Sequence, residues 1–207
     1  LPPRLRSEEP PQTAERRLIY RDARVAQPSV SRSYLAAERD AGAQETAAAL
    51  TVLAEILGGG QTSVLSEKLQ FETQTAIYTG AFYSGVSMDD TTFDFVVVPA
   101  EGISLEAAEA ALDKVIAEFL TTGVDGAQLE RIKMQIRAAD IYARDDVERA
   151  ANRYGRALTT GLTVADVQAW PEILQAVTAD DVMAAARDVL DRRRSVTGWL
   201  MAEEVSQ

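Results

Sequence analysis

The side chains able to do chemistry in this sequence are carboxylates, hydroxyls, amides, guanidiniums and amines, because histidine and cysteine are both missing. Without imidazole or thiol, neither a Ser-His-Asp triad nor a Cys-His pair can be assembled. A zinc site of the usual nitrogen and sulfur type has no ligands, and no disulfide or redox thiol can form. The carboxylates include five adjacent pairs: Glu8-Glu9, Asp89-Asp90, Asp145-Asp146, Asp180-Asp181 and Glu203-Glu204. Paired carboxylates can serve acid–base work or hold a hard cation. Each pair, however, falls where a turn, a helix cap or a terminus is expected, so a structural role is expected of all five. Asp89-Asp90, with Met88 before it, fits a tight hairpin turn.

Two further patterns invite a site. Gly58-Gly59-Gly60 followed by Gln61-Thr62-Ser63 suggests a phosphate loop, but no lysine precedes the hydroxyl residue and the glycines follow a helical pattern, not a strand. They fit a helix break, since glycine tolerates the left-handed conformation after a helix. From Arg137 to Leu158, Arg137, Arg144, Arg149, Arg153 and Arg156 interleave with Asp140, Asp145, Asp146 and Glu148. That is the pattern of a solvated helix face laced with ion pairs, with a substrate-facing basic strip as the weaker alternative. Tyr78, Phe82 and Tyr83 share a strand and fit core or sheet-surface positions, or an exposed edge that pairs with an extended peptide.

The whole chain is acidic, with 21 Lys+Arg against 32 Asp+Glu and a net charge of −11. Phosphates and anionic membrane surfaces would be repelled, which argues against nucleic acid as a partner. No apolar run is long enough for membrane insertion. With 207 residues, 46% of them hydrophobic, the chain can bury a substantial core.

The elements that position these residues are legible from periodicity and caps. Residues 1–12 hold four of the seven prolines and form an extended linker or arm, with one domain expected over 13–207. The start at Leu1, without Met or a signal-peptide pattern, suggests a segment of a longer parent. Two strands are expected in RRLIYRDARV and SVSRSYLAA, whose polar alternation suits one wet face. A helix over 43–57, a short helix over 63–71, strands over 75–87 and 91–99, and a Ser104-capped helix ending at Gly123 follow. In the second of those strands, Phe93, Phe95 and Val97 alternate with Asp94, Val96 and Val98, so its end is expected to be buried on both faces. Asp125 with Gln128 opens a later helix in capping-box style, and Thr163 with Asp166 and Thr178 with Asp181 cap two more. Another helix is expected over 147–158 and a final strand over 194–201. The order β-β-α-α-β-β-α-α-α-α-α-β predicts an α+β domain, with a largely antiparallel sheet covered by helices on one face.

The run LAEILGGGQTSVLSEKLQFETQTAIYTGAFYS, Leu53 to Ser84, resembles the non-catalytic homologous domain of the pitrilysin/insulinase/mitochondrial-processing-peptidase family of zinc peptidases. The V-V-V-P strand ending at Pro99, L-E-R-I-K at Leu129–Lys133 and T-G-W-L at Thr197–Leu200 also look like that family. The resemblance implies the C-terminal, substrate-enclosing half of a paired α+β architecture. The H-x-x-E-H zinc motif, and hence the zinc, would lie in a homologous companion domain or subunit, and a peptide would be the substrate. No cofactor, metal ligand or catalytic residue is then expected in this chain. Many relatives carry an arginine on the short helix and a tyrosine seven residues later that hold the peptide. The matching positions here are Gln70 and Ile77, with Tyr78 one residue off and expected on the opposite face of the strand. Gln70 and Tyr78 are therefore the substrate-binding residues to examine. A catalytically dead scaffold or assembly subunit, or an inactive partner of a separate zinc-bearing subunit, is the alternative. Bacterial relatives of this type are commonly exported, so the periplasm is the expected location, with the cytoplasm the alternative.

Overall fold

The computed structural model describes residue 10 and residues 12–143 and 145–203. Apart from Pro10 and Gln12, the proline-rich arm expected over 1–12 lies outside the described residues, as do Arg144, Glu204, and the Glu8-Glu9 pair. Five strands, β1 (Arg16–Arg21), β2 (Ser29–Ala36), β3 (Ala76–Tyr83), β4 (Thr91–Pro99) and β5 (Ser195–Met201), form one sheet in the order β1-β5-β2-β4-β3. Three of its pairings are antiparallel and one, β1 with β5, is parallel. Six α-helices complete the domain: α1 (Glu45–Gly58), α2 (Leu105–Thr122), α3 (Gly126–Ala143), α4 (Val147–Thr159), α5 (Val164–Ala176) and α6 (Ala179–Val189). Between α1 and β3 the short helix is a π-helical segment, Ser66–Glu72. The expected α+β order is realised.

The helices pack on one face of the sheet. α1 lies against β3 and β4, α2 against β2 and β4, and α3, α5 and α6 pack against α1 from the other side. Sandwiched in this way, α1 buries Ala47 to Leu50, Val52 to Ala54, Ile56 and Leu57. The inward residues of the sheet, Val30, Tyr34, Ala81, Phe93, Phe95 and Val97, meet those helices in a single core. Val96 and Val98 on the other side of β4 are only partly buried. The expectation of burial on both faces of that strand is corrected, because no helix covers its second face.

Three further local corrections have physical causes. β3 ends at Tyr83, so its connection to β4 is longer than a tight turn at Met88-Asp89-Asp90: the Arg39 N–H donates to the Gly85 carbonyl at 2.8 Å and draws the chain away from β4. Gln128 does not close a capping box. Asp125 caps Ala127 alone, while the Gln128 amide donates to the Thr62 carbonyl at 3.1 Å. Only Gly60 of the three glycines has a positive φ, +82°, whereas Gly58 is needed for close approach, since a Cβ there would lie 1.9 Å from the Ala81 backbone nitrogen. The boxes at Thr163/Asp166 and Thr178/Asp181 are complete.

Arg32, in a strand whose polar residues suited a wet face, points inward and is 1% exposed. It donates to Thr197 Oγ1 at 2.9 Å and to Glu109 at 2.8 Å, and pairs with Asp113. Glu109 on α2 also receives both Nη groups of Arg17, at 2.8 and 2.5 Å, and the Trp199 indole at 2.8 Å. One carboxylate thus ties β1, β2 and β5 to α2.

Candidate functional site

The face of the sheet left free by the helices is where exposed side chains of several strands come together. The register aligns Leu18, Gly198, Ser31, Val96 and Gly80 across all five strands in one row. Three of the five are Gly or Ser, so the middle of the face is shallow. Flanking rows carry Tyr20, Leu200, Tyr78 and Phe82, all solvent-exposed. At the β3 edge the two rings lean over Gly80: a Cβ there would fall 2.7 Å from the Phe82 ring and 3.2 Å from the Tyr78 hydroxyl. The result is a shallow trough with Gly198, Ser31, Val96 and Gly80 along its floor, aromatic rings at the β1 and β3 edges, and Asp94, Ser33 and Arg16 in the row that carries Phe82. Such a surface suits an extended chain that offers apolar side chains, by contact rather than by covalent chemistry.

The two candidate substrate-binding residues occupy different places. Tyr78 sits in the trough, 48% exposed. It does not lie on the opposite face from Ile77. The pairing shifts between Ala76 and Tyr78, and this bulge places two exposed residues, Ile77 and Tyr78, between inward-facing Ala76 and Thr79. A bulge of this kind re-aims side chains at a sheet edge. Gln70 is instead held back. Its amide donates to Ser66 Oγ at 3.0 Å and Thr79 Oγ1 at 2.8 Å, and Ser66 and Ser63 both donate to the Gly60 carbonyl. Ser63 of the T-S motif, with Ser66, Gln70 and Thr79, therefore builds a hydroxyl–amide knot that fastens the π-helical segment to β3. Tyr83 points inward, its hydroxyl donating to the Ala37 carbonyl at 2.7 Å, and burial raises its pKa.

Two members of the acidic pairs do structural work. Asp146 caps α4 and Asp181 closes the box of α6, a role that holds its pKa down through hydrogen bonds from Thr178. Among the described residues, no three His, Cys, Asp or Glu side chains converge on a space fit for a metal ion. Without histidine or cysteine, the donor set does not suit a zinc ion.

A family model described as the peptidase M16 inactive domain matches residues 1–136. The chain belongs to that family. The M16 likeness extends beyond the matched segment in solved structures. A protease from Helicobacter pylori superposes with a TM-score of 0.87 over 96% of this chain and 47% of its own, at 18% identity. The inactive peptidase domain of a putative zinc protease from Bordetella parapertussis gives 0.74 over 84% of this chain and 92% of its own, at 19% identity. The first half of the periplasmic protease PqqL from Escherichia coli gives 0.78 over 94% and 43%, at 15% identity. At such identities the likeness concerns the fold. The chain spans about half the length of the Helicobacter protein, while the Bordetella domain is matched over nearly its whole length. No functionally curated protein matches the chain in sequence.

The M16 motif was legible in the sequence. Arg32, Glu109 and Arg39 were missed as organising residues: each lies in an otherwise ordinary strand, helix or loop, and apart from Gln44, which Arg39 meets, the partners come from far along the chain. The inward position of Arg32, two residues from Val30 and Tyr34 in a strict alternation, was the available signal.

Proposed function

We propose that this M16 inactive domain is the substrate-enclosing, non-catalytic half of a zinc metallopeptidase that degrades or processes peptides. The observation that carries this is the helix-free sheet face, with Tyr20, Leu200, Tyr78 and Phe82 rimming a floor of Gly198, Ser31 and Gly80. In this proposal, the zinc and the acid–base groups belong to a homologous companion domain or subunit, and this chain binds and orients the peptide. Tyr78 supplies a ring and a hydroxyl to that contact. Gln70 serves indirectly, by fixing the strand that presents Tyr78. Bacterial sources and a periplasmic relative support a periplasmic location, to be checked by fractionating cells that express the parent gene.

The test is reconstitution with the zinc-bearing half and a quenched fluorescent peptide. The mixture is expected to cleave the peptide and the chain alone to leave it intact. Tyr78→Ala combined with Phe82→Ala is expected to raise KM several-fold with kcat little changed, the signature of lost ground-state binding. An unchanged KM overturns the assignment of the trough.

One observation favours a second reading. Gln70, where relatives place a substrate-holding arginine, is committed to Ser66 and Thr79. A scaffold of the same fold would need nothing more. A reconstituted pair with an intact zinc motif that assembles but cleaves nothing would select that reading.

A further inference from the structure

A second concavity lies beyond the end of β3, where α4 passes the chain leaving the strand. Arg39, Arg149, Arg153, Arg156, Ser84 and Asn152 line this pocket of about 350 Å³, and no carboxylate is among its described lining residues. In a protein of net charge −11, four guanidiniums around one pocket are out of keeping with the average surface.

Arg39 is the unusual member. It is 7% exposed, with its guanidinium 3.9 Å from the centre of the Trp170 ring. Nε donates to Gln44 Oε1 at 2.5 Å and Nη2 to the Asp166 carbonyl at 2.8 Å. Both acceptors are neutral. Among the described residues Arg39 has no ion pair, and its Nη1 donates to no protein atom. A buried cation without a paired counter-ion is costly. Burial lowers its pKa to about 10, with Asp166 and Tyr83 opposing that shift and the like charge of Arg153 adding to it.

The other arginines come from one helix face, since 149, 153 and 156 are spaced by four and three residues. Two are partly neutralised: Arg149 lies 3.4 Å from Asp146, and Arg153 donates to Asp140 at 2.8 Å. Arg156 has no ion pair among the described residues. The pocket therefore holds two cations, Arg39 and Arg156, that no carboxylate among the described residues pairs with.

We propose that this pocket is a binding site for an oxyanion, a carboxylate or phosphate group. Arg39 and Arg156 supply the unmatched charge, Arg149 and Arg153 flank it, and Ser84 and Asn152 offer neutral hydrogen bonds. Guanidiniums suit this task because their forked N–H groups match the geometry of both anions. The site is separate from the open sheet face and does not rest on the peptidase assignment.

The test uses the 207-residue chain at constant ionic strength, with sodium phosphate and, separately, an N-acetylated, C-amidated triglutamate peptide and its identically capped triglutamine counterpart. Calorimetry and thermal melting are expected to show saturable binding of phosphate, of the triglutamate peptide, or of both, and none of triglutamine. Phosphate alone identifies a free anion as the source, and triglutamate a peptide carboxylate. Arg156→Gln, an exposed substitution that spares the buried Arg39, is expected to weaken binding about ten-fold, in the range for a lost charge-assisted hydrogen bond. Arg187→Gln on α6, away from the pocket, is expected to leave it unchanged. Binding of neither anion, equal binding of triglutamine, or equal loss in the two variants overturns the proposal.

Discussion

Glu109 shows how much of this fold depends on single polar side chains. Burial alone would raise its pKa, but hydrogen bonds from Arg17 and Trp199 and the charges of Arg17 and Arg32 outweigh burial and hold it below the ordinary 4.5. Because the folded value is depressed, its stabilising contribution is present above the unfolded pKa and lost as pH falls through the folded value. Urea unfolding should therefore show stability declining from about pH 4.5 downward. Glu109→Gln should flatten that decline. At pH 7 the same variant should lose about 3 kcal/mol, because Arg32 would be left buried and underpaired. Gly58 makes a second test. Its substitution by Ala drives a Cβ into the backbone of Ala81 at 1.9 Å, and α1 must shift from β3 at a cost of at least ~2 kcal/mol. Gly60→Ala meets no neighbouring atom and strains only the left-handed turn, so it should cost less than Gly58→Ala in the same melt.

At the scale of elements, local signals proved legible and distant pairings did not. Thr163/Asp166 and Thr178/Asp181 announce their helices because a capping box is complete within four residues. The parallel pairing of β1 with β5 joins Arg16 to Val196 across the length of the domain, and no local periodicity encodes it. The bulge at Ile77 was illegible for the same reason, since it is a property of two paired strands. It is also what turns Ile77 and Tyr78 both outward, so half of the candidate trough depended on a feature the sequence does not spell out. The floor of that trough, Gly198 with Ser31 and Gly80, needs four strands in register before it exists, because β4 lies between Ser31 and Gly80. α4 is the weakly attached element. Of its residues only Ala157 is buried, in a small cluster with Leu162 and Val167 that is separate from the main core. Elements with so few buried contacts open first. Hydrogen exchange over 147–159 should be much faster than over α1. Ala157→Asp should abolish protection in α4 while leaving that of α1 and the central strands nearly unchanged. Simultaneous loss of protection in α1 would show that α4 is instead part of the global unfolding unit.

For the whole molecule, the missing histidines and cysteines take on a narrower meaning. They deny this chain the imidazole and thiolate ligands usual for zinc without denying a hydrolytic function to an assembly containing it, because the chain spans about half the length of the Helicobacter protease that it resembles in fold. The remaining candidate ligands are carboxylates, and the described ones are dispersed over caps, ion pairs and solvent-facing helices instead of converging. Zinc binding by a protein needs three or four donors held together, with suitable distances and a supporting shell of hydrogen bonds. Isolated carboxylates in water bind it only weakly. Titration of zinc into the 207-residue chain should therefore give no stoichiometric, high-affinity heat and no rise in melting temperature. In the proposed pairing, mixing with the zinc-bearing half should leave the zinc content at that of the companion alone while peptide cleavage rises. Tight one-to-one zinc binding by this chain would place a metal site within it and remove the division of labour on which the proposed function depends.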